Sequence, residues 1–157
     1  MNGNEIKPAV KFSLCEQSTQ MEDYIIHNHQ YGIIICRQHK YAVPKNWIRR
    51  HFQEQHKDVP LETRQNIEAY VADLNLLPPS EVPLPESTIP VEGLALYNGY
   101  KCLYDECDEL KGTVKSMVKH CKYEHKWIKS VGVKWTAQAM QTFFVSSHLK
   151  YISFNCS

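Results

Sequence analysis

Two cysteines and two histidines between residues 102 and 125 constrain the fold of this chain more than any other feature. Four residues separate Cys102 from Cys107, twelve separate Cys107 from His120, and four separate His120 from His125. A structural zinc site takes two ligands from a turn and two from one helix face, where side chains four or five positions apart point the same way. The spacing therefore predicts a zinc site, which we call the second cluster.

The same arrangement occurs about 65 residues earlier with one substitution. Two residues separate Cys36 from His39, eleven separate His39 from His51, and four separate His51 from His56. One thiolate and three neutral imidazoles leave a zinc ion with a charge of +1, whereas two thiolates neutralise it. We therefore predict a second zinc ion at this first cluster, bound more weakly and lost more easily in acid.

The other cysteines and histidines leave alternatives open. His27 or His29 could replace a ligand of the first cluster, which could also be a degenerate finger held by its apolar core; the second cluster could be free cysteines beside surface histidines. Cys121 is interpreted as an ordinary helix thiol, and Cys15 and Cys156 carry no readable role. A disulfide framework is not expected, because a 157-residue chain with 43% apolar residues does not need one.

Local patterns predict a strand, a turn and a helix around each cluster. Residues 31–36 are β-branched and apolar, and Pro44 opens a helix-compatible stretch; residues 100–107 lead into a predicted helix over 113–126. Apolar residues stand at matching positions in both copies, namely Ile34, Val43 and Ile48 in the first and Tyr100, Leu110 and Met117 in the second. Each copy is therefore predicted to be a ββα-like unit with a small core.

A helix is predicted between the two copies, from Pro60 to about Leu74. Its apolar stripe at helical spacing is expected to be core and consists of Ile67, Tyr70, Val71 and Leu74. Five of the eight prolines lie between Pro78 and Pro90, which predicts an extended, stiff segment. Its apolar residues Val82, Leu84, Ile89 and Val91 suggest that it lies against a surface, and a solvated linker is the alternative.

The predicted fold class is α+β, with two zinc-finger-like units joined by a helix and a proline-rich segment. The apolar, aromatic tail is expected to form one or two strands that complete a core. The expected divisions are an N-terminal segment (1–23), the first unit (24–60), the acidic connector (61–98), the second unit (99–130) and the tail (131–157).

The charge distribution, the hydropathy and the first residues together favour an intracellular binding protein. The formal net charge of +1 hides opposite blocks, because residues 36–57 hold six Lys/Arg and one acid, residues 58–98 one Arg and seven acids, and residues 99–129 seven Lys and five acids. No apolar run approaches the roughly 18 residues of a membrane span, and the start lacks the pattern of a secretory signal. We therefore expect an intracellular protein, with the nucleus as the favoured compartment, and with neither a membrane nor a small-molecule substrate among its partners.

Neither cluster has the pattern of a catalytic metal site. Each offers four protein ligands, whereas a hydrolytic zinc keeps an open position and needs a nearby general base. Glu54 and Glu124 lie between helical histidines without giving the His-Glu-x-x-His order of a metalloprotease. The sequence also has no glycine-rich phosphate loop, so we do not expect an enzyme.

The order of motifs resembles a fungal domain family named after the orsellinic acid biosynthesis cluster protein D. The resemblance covers about residues 24–145. The matching motifs are Ile35-Cys36, Tyr41-Ala42-Val43-Pro44, Arg49-Arg50-His51, Val82-Pro83-Leu84-Pro85, Pro90, Gly93-Leu94, Tyr97, Gly99-Tyr100-Lys101-Cys102, and His120 to His125. The resemblance implies a fungal module that contains zinc fingers and whose biochemical activity is not established. Because the first turn of that family usually carries two cysteines, His39 departs from its pattern.

Basic residues on both predicted finger helices favour nucleic-acid binding. They are Lys45, Arg49 and Arg50 in the first unit, and Lys115, Lys119, Lys122 and Lys126 in the second. Base-reading positions would fall on Pro44, Trp47 and Arg50, and on Thr113, Ser116 and Lys119, of which only Arg50 is a good guanine reader. Because 45 residues also separate His56 from Cys102, we expect binding of low sequence specificity rather than tandem reading of a groove.

The alternative function is protein interaction. In this interpretation the chain packs as one zinc-stabilised scaffold, and Trp47, Trp127 and Trp135 are interface anchors. Ordinary core packing of the three tryptophans is the competing interpretation.

Overall fold

The computed structural model describes residues 21–85 and 89–154, which form a mixed α/β fold with two antiparallel sheets. The expectations for residues 1–20, including Cys15, and for Cys156 lie outside the described residues. The chain divides into two compact units, with the boundary between Val82 and Pro83, inside the predicted connector.

In the part of the chain that the structure describes, the first unit combines a three-stranded sheet with helical residues 21–24 and two further helices. Its elements are β1 (Ile25–Asn28), β2 (Ile33–Cys36), β3 (Tyr41–Val43), a 3-10 turn (Lys45–Trp47), α1 (Ile48–Gln55), α2 (Leu61–Ala72) and a 3-10 turn (Pro79–Glu81), with the strands in the order β1-β2-β3. All four residues of β2 are buried, as expected for a continuous apolar run in the middle of a sheet. The core joins this strand to both helices through Ile34, Ile48, Phe52 and Ile67.

The predicted helix after Pro60 is confirmed, because Pro60 is the N-cap of α2. Ile67 and Val71 are buried in the core and Leu74 packs against it. Tyr70 was predicted to join them, and this was wrong: its side chain is exposed. It precedes Val71 by one position, so it lies about 100° around the helix and misses the narrow buried stripe.

The second unit is a four-stranded sheet with one helix. Its elements are β4 (Tyr97–Cys102), β5 (Leu110–Lys111), α3 (Val114–His125), a 3-10 turn (Lys129–Val131), β6 (Trp135–Thr142), a 3-10 turn (Ser146–His148) and β7 (Tyr151–Ser153). The strand order is β5-β4-β6-β7, so the predicted strands of the tail are confirmed. Strand β4 pairs with β6 along its whole length, from Tyr97↔Met140 to Cys102↔Trp135. The tail therefore completes the sheet that carries Cys102.

The proline-rich segment is only partly extended and only partly packed. Its first residues form the 3-10 turn Pro79–Glu81 rather than an extended chain. Val91 is buried, and its backbone N–H and C=O both bond the side chain of Gln141, at 2.7 and 3.0 Å. Leu84 and Ile89 were also predicted to lie against a surface, but both are exposed. The segment is therefore buried at Val91, where the Gln141 side-chain amide bonds the backbone N–H and C=O.

We predict that Gly99→Ala destabilises the second unit. An added β-carbon would overlap the thioether of Met140 and lie 2.7 Å from the backbone oxygen of Lys111. Overpacking of this kind costs about 1–3 kcal/mol of unfolding free energy. Urea denaturation should show this loss, whereas Asn98→Ala, at an exposed position of the same strand, should change the unfolding free energy little. Equal stability of Gly99→Ala and the wild type would contradict the close packing of β4 on β6.

Candidate metal centres

The first cluster forms where the β2–β3 turn meets α1. Cys36 ends β2, His39 follows in the turn, His51 lies in α1, and His56 is the C-cap of α1. The turn is closed by Lys40, whose positive φ of 59° lets its N–H donate to the Cys36 oxygen at 2.8 Å. The ligand atoms of the four predicted residues lie within 4.8 Å of one another. The structure therefore brings together the four side chains that the spacing selected.

The distances inside the first cluster match those around a tetrahedral ion. The Cys36 Sγ lies 3.3 Å from His39 Nδ1 and 3.4 Å from His56 Nε2, and the Nε2 atoms of His56 and His51 are 3.1 Å apart. Zinc with ordinary bond lengths separates a sulfur from a nitrogen ligand by about 3.6 Å, and two nitrogen ligands by about 3.3 Å. The four donors thus surround a space of the right size for zinc.

Burial sets the protonation of the first cluster. Burial, with smaller effects of His56 and His39, lowers the pKa of His51 to about 4. Burial is also the main cause that lowers the pKa of His56 and raises the pKa of the Cys36 thiol. The two histidines are therefore neutral near pH 7, which is the form that binds a metal. The thiol would lose its proton when a metal binds.

The second cluster repeats this geometry at the end of β4. Cys102 ends the strand, Cys107 follows in the turn, and His120 and His125 lie on α3. Their ligand atoms again lie within 4.8 Å of one another, and the Cys107 Sγ is 3.3 Å from His120 Nε2. Burial is the first cause that raises the pKa of Cys107 and lowers that of His120.

His125 supplies an independent sign that the second cluster is built for a metal. Its Nε2 atom is buried and has no hydrogen-bond partner among the described residues. A buried polar atom without a partner is costly, and native proteins satisfy nearly all such atoms. The ring is held in place by Tyr104, which stacks on it at 4.2 Å with an interplanar angle of 14°. A zinc ion bound to Nε2 would satisfy this atom.

Both donor sets fit zinc, because thiolate and imidazole are its usual ligands and each set is complete with four. Zinc would supply a rigid, tetrahedral link from the end of a strand to a helix. The alternative ligands of the first cluster lie elsewhere: the rings of His27 and His29 contact each other at 3.8 Å and do not belong to either group of four. Cys121 is buried beside Met117, with its sulfur 3.8 Å from the Met117 sulfur.

The basic residues that were predicted to bind nucleic acid lie on two helices and their ends. Arg49 and Arg50 are exposed on α1, and Lys115, Lys119 and Lys122 are exposed on α3. Lys126 is the exposed C-cap of α3, and Lys45 donates from its Nζ to the Leu74 oxygen at 2.7 Å.

The three tryptophans differ in exposure. Trp127 and Trp135 contact each other at 5.3 Å and pack against the core of the second unit. Trp47 is 49% exposed, and the Arg50 guanidinium lies over its ring at 5.2 Å. Sequence reasoning missed the stacking of Tyr104 on His125 and the packing of Trp127 on Trp135. The position of Tyr104, two residues after Cys102, was the sequence signal that could have indicated its contact with His125.

Comparisons with known proteins agree with the resemblance seen in the sequence. The family model described as orsellinic acid/F9775 biosynthesis cluster protein D matches residues 23–126, which include both clusters. A curated protein of that name from Emericella nidulans is 32% identical over 131 residues. The alignment covers 80% of this chain and 24% of the relative, so the chain spans about a quarter of that protein's length. No solved structure matches the chain.

Metal analysis of ligand variants should distinguish the two clusters. We expect about two zinc ions per chain for the wild type and about one for Cys102→Ala, because the second cluster then keeps only three ligands. Cys121→Ala is the matched control, since Cys121 is equally buried on the same unit but outside the cluster. Loss of zinc from Cys121→Ala, or its full retention by Cys102→Ala, would contradict the assignment of ligands.

Acid should release zinc from the first cluster at a higher pH than from the second. Histidines protonate below their unfolded pKa of about 6.5, and the first cluster has three histidines and only one thiolate. The lowered pKa of His51 has the same sign, because the unfolded chain takes up the proton first and stability falls as the pH drops from about 6.5 to 4. Two steps of zinc release should appear between pH 7 and 4.

His39→Cys tests the cause of this difference. The His39 Nδ1 atom is close to its own β-carbon, so a cysteine sulfur at this position reaches nearly the same point. The substitution gives the first cluster the ligand set of the second, and it should bring the two release steps together. An unchanged first step would show that the missing thiolate is not what weakens the site.

Proposed function

The chain belongs to the orsellinic acid/F9775 biosynthesis cluster protein D family, and we propose that it is a zinc-stabilised, non-enzymatic module that binds nucleic acid with low sequence specificity. Two features support a recognition role over catalysis. Each cluster already provides four protein ligands, which leaves no open position on the metal for a substrate or a reactive water. In each unit the cluster ties a short strand pair to one helix, the arrangement of a zinc-finger-like ββα unit.

The observation that carries this proposal is a stripe of lysines on α3. At about 100° per residue, Lys115, Lys119 and Lys122 fall within a sector of about 60°, opposite the buried Met117 and Cys121. All three are exposed, and none forms a salt bridge with the residues that the structure describes. Unpaired cations in one line can follow a row of phosphates, and release of counterions from that row then supplies the binding free energy.

The first helix contributes less free positive charge. Arg50 pairs with Glu54 at 2.9 Å and lies over Trp47, and Lys45 is held by the Leu74 oxygen. Arg49 is the remaining exposed cation of α1. We therefore place the main contact on the second unit and a supporting contact at Arg49 and Arg50.

The start of α3 supports low sequence specificity. Thr113 caps the helix by accepting a hydrogen bond from the Ser116 N–H at 3.1 Å, and the hydroxyls of the two residues are 2.8 Å apart. These two positions would have to read bases if α3 lay in a major groove. Because their polar atoms are occupied in the cap, the lysines can bind phosphates while little is available to distinguish bases.

A protein partner is the second candidate, and the exposure of Trp47 favours it. A half-exposed tryptophan with a stacked arginine has the composition of an interface hot spot. Trp127 and Trp135 do not support this candidate, since they pack within the second unit. Interaction through this site would persist at high salt, unlike binding to phosphates.

Fluorescence anisotropy with a labelled DNA duplex tests the proposed function. Lys115→Gln/Lys119→Gln should weaken binding to every sequence and make the slope of log affinity against log salt shallower by about two, because two phosphate contacts are lost. Lys57→Gln/Lys150→Gln changes the charge equally at two other exposed lysines and should leave the slope unchanged. Absence of binding by the zinc-loaded wild type at low salt would rule the proposal out.

A further inference from the structure

A short apolar loop stands out from the second unit after α3. The loop, residues 127–134, carries three aliphatic side chains that are largely exposed: Ile128 (60%), Val131 (50%) and Val133 (68%). Leu103 (53% exposed) joins them, because its backbone N–H donates to the Lys134 oxygen at 2.8 Å and holds it beside the loop. Single exposed aliphatic residues are ordinary, but three in one eight-residue loop, with a fourth on the backbone bonded to that loop, indicate an interaction surface.

Hydrogen bonds fix the loop in this exposed conformation. The indole Nε1 of Trp127 donates to the Gly132 oxygen at 2.7 Å, and the Gly132 N–H donates to the Lys129 oxygen at 3.2 Å. Gly132 adopts a φ of 88°, which a residue with a side chain rarely accepts. Trp127 itself is packed on Trp135. The aliphatic side chains are therefore exposed on a turn that is fixed by hydrogen bonds.

Lysines alternate with the aliphatic residues along this stretch of the chain. Lys122, Lys126, Lys129 and Lys134 lie within residues 122–134, where Glu124 is the only acidic residue. Tyr123, on the last turns of α3 and within the same stretch of the chain, is 77% exposed. The surface thus combines an apolar tip with an excess of three positive charges and an amphipathic aromatic ring.

We propose that this loop docks the protein reversibly on an anionic lipid surface. Protein interfaces favour tryptophan and arginine and are depleted in lysine, whereas this surface has four lysines, no arginine, and tryptophans turned to internal packing. Aliphatic side chains that enter the headgroup region beside a cluster of four or more lysines are the combination that anionic membranes bind. Charge complementarity therefore selects a lipid surface over a groove-binding peptide.

Such docking needs no membrane-spanning segment. None of the described helices is long and apolar enough to cross a bilayer, and our expectation that a membrane is not a partner rested on the same feature of the sequence. The proposal concerns a contact at the bilayer surface, and it does not depend on nucleic-acid binding, because the two surfaces share only Lys122 and the tested loop residues differ from Lys115 and Lys119.

Co-sedimentation of the zinc-loaded protein with vesicles tests the docking. Vesicles of phosphatidylcholine with about 30% phosphatidylserine should bind the protein at low salt, and vesicles of phosphatidylcholine alone should bind it much more weakly. Ile128→Ser/Val133→Ser should reduce the affinity at least about tenfold, because two apolar side chains no longer enter the bilayer. Lys129→Gln/Lys134→Gln should reduce it about 30-fold, which corresponds to about 1 kcal/mol per lysine.

Matched variants distinguish docking through the loop from non-specific hydrophobic adsorption to vesicles. Leu61→Ser/Leu96→Ser removes two aliphatic side chains of similar exposure, 59% and 63%, from other places in the chain, and it should bind vesicles like the wild type. Both serine pairs should keep their zinc and their duplex binding. The proposal is overturned if anionic vesicles do not bind the wild type, if both serine pairs lose binding equally, or if only an acidic amphipathic peptide of Glu and Leu binds the loop.

Discussion

Four side chains that converge from a strand end, a turn and a helix are the constraint on which each unit depends. In both clusters one ligand ends a strand, and the last two lie on or at the end of a helix. Because burial holds His51 neutral and leaves the His125 Nε2 atom without a hydrogen-bond partner among the described residues, these groups destabilise the fold unless something binds them. A bound zinc ion would satisfy these buried groups and cross-link the strand to the helix. The orientation of the helix on the strand would then be fixed.

The two units differ in how much they depend on this cross-link. In the first, Ile48 and Phe52 anchor α1 on a core that also includes Ile67 of α2. In the second, α3 meets the sheet through a small buried group of Cys102, Met117 and Cys121, in which a proposed ligand is itself part of the core. Small cores supply little stability. The predicted weaker ligand set therefore occurs where the helix packs on the larger buried group, and the stronger set where the helix packs on the smaller one.

The sequence was sufficient for the features that depend on local spacing. The two groups of four side chains that could hold a metal, the bounds of α3 from the cap Thr113 to the cap Lys126, and the family all followed from residues close together in the chain. Features set by distant contacts were missed. The pairing of β6 with β4 joins residues about 40 positions apart, and the exposure of Tyr70 and Leu84 depends on which neighbours reach them. Neither follows from hydrophobic periodicity, because periodicity shows which face of a helix or strand is apolar but does not show which other element covers that face.

The second unit presents its two proposed surfaces on α3, which carries two of the candidate metal ligands, and on the loop after it. The lysine stripe lies along α3, and the apolar loop begins at Trp127, two residues after the ligand His125. Both surfaces would therefore lose their shape if the metal left. This coupling makes the metal the common requirement for every function proposed for the chain.

X-ray absorption at the zinc edge tests this account most directly, because it counts the ligand atoms around the bound ion. With one cluster of one sulfur and three nitrogens and another of two of each, the average should be about 1.5 sulfur and 2.5 nitrogen atoms per zinc. Bond lengths should be about 2.3 Å to sulfur and about 2.0 Å to nitrogen. A shell made mainly of oxygen, or a freshly purified protein without zinc, would contradict the central claim.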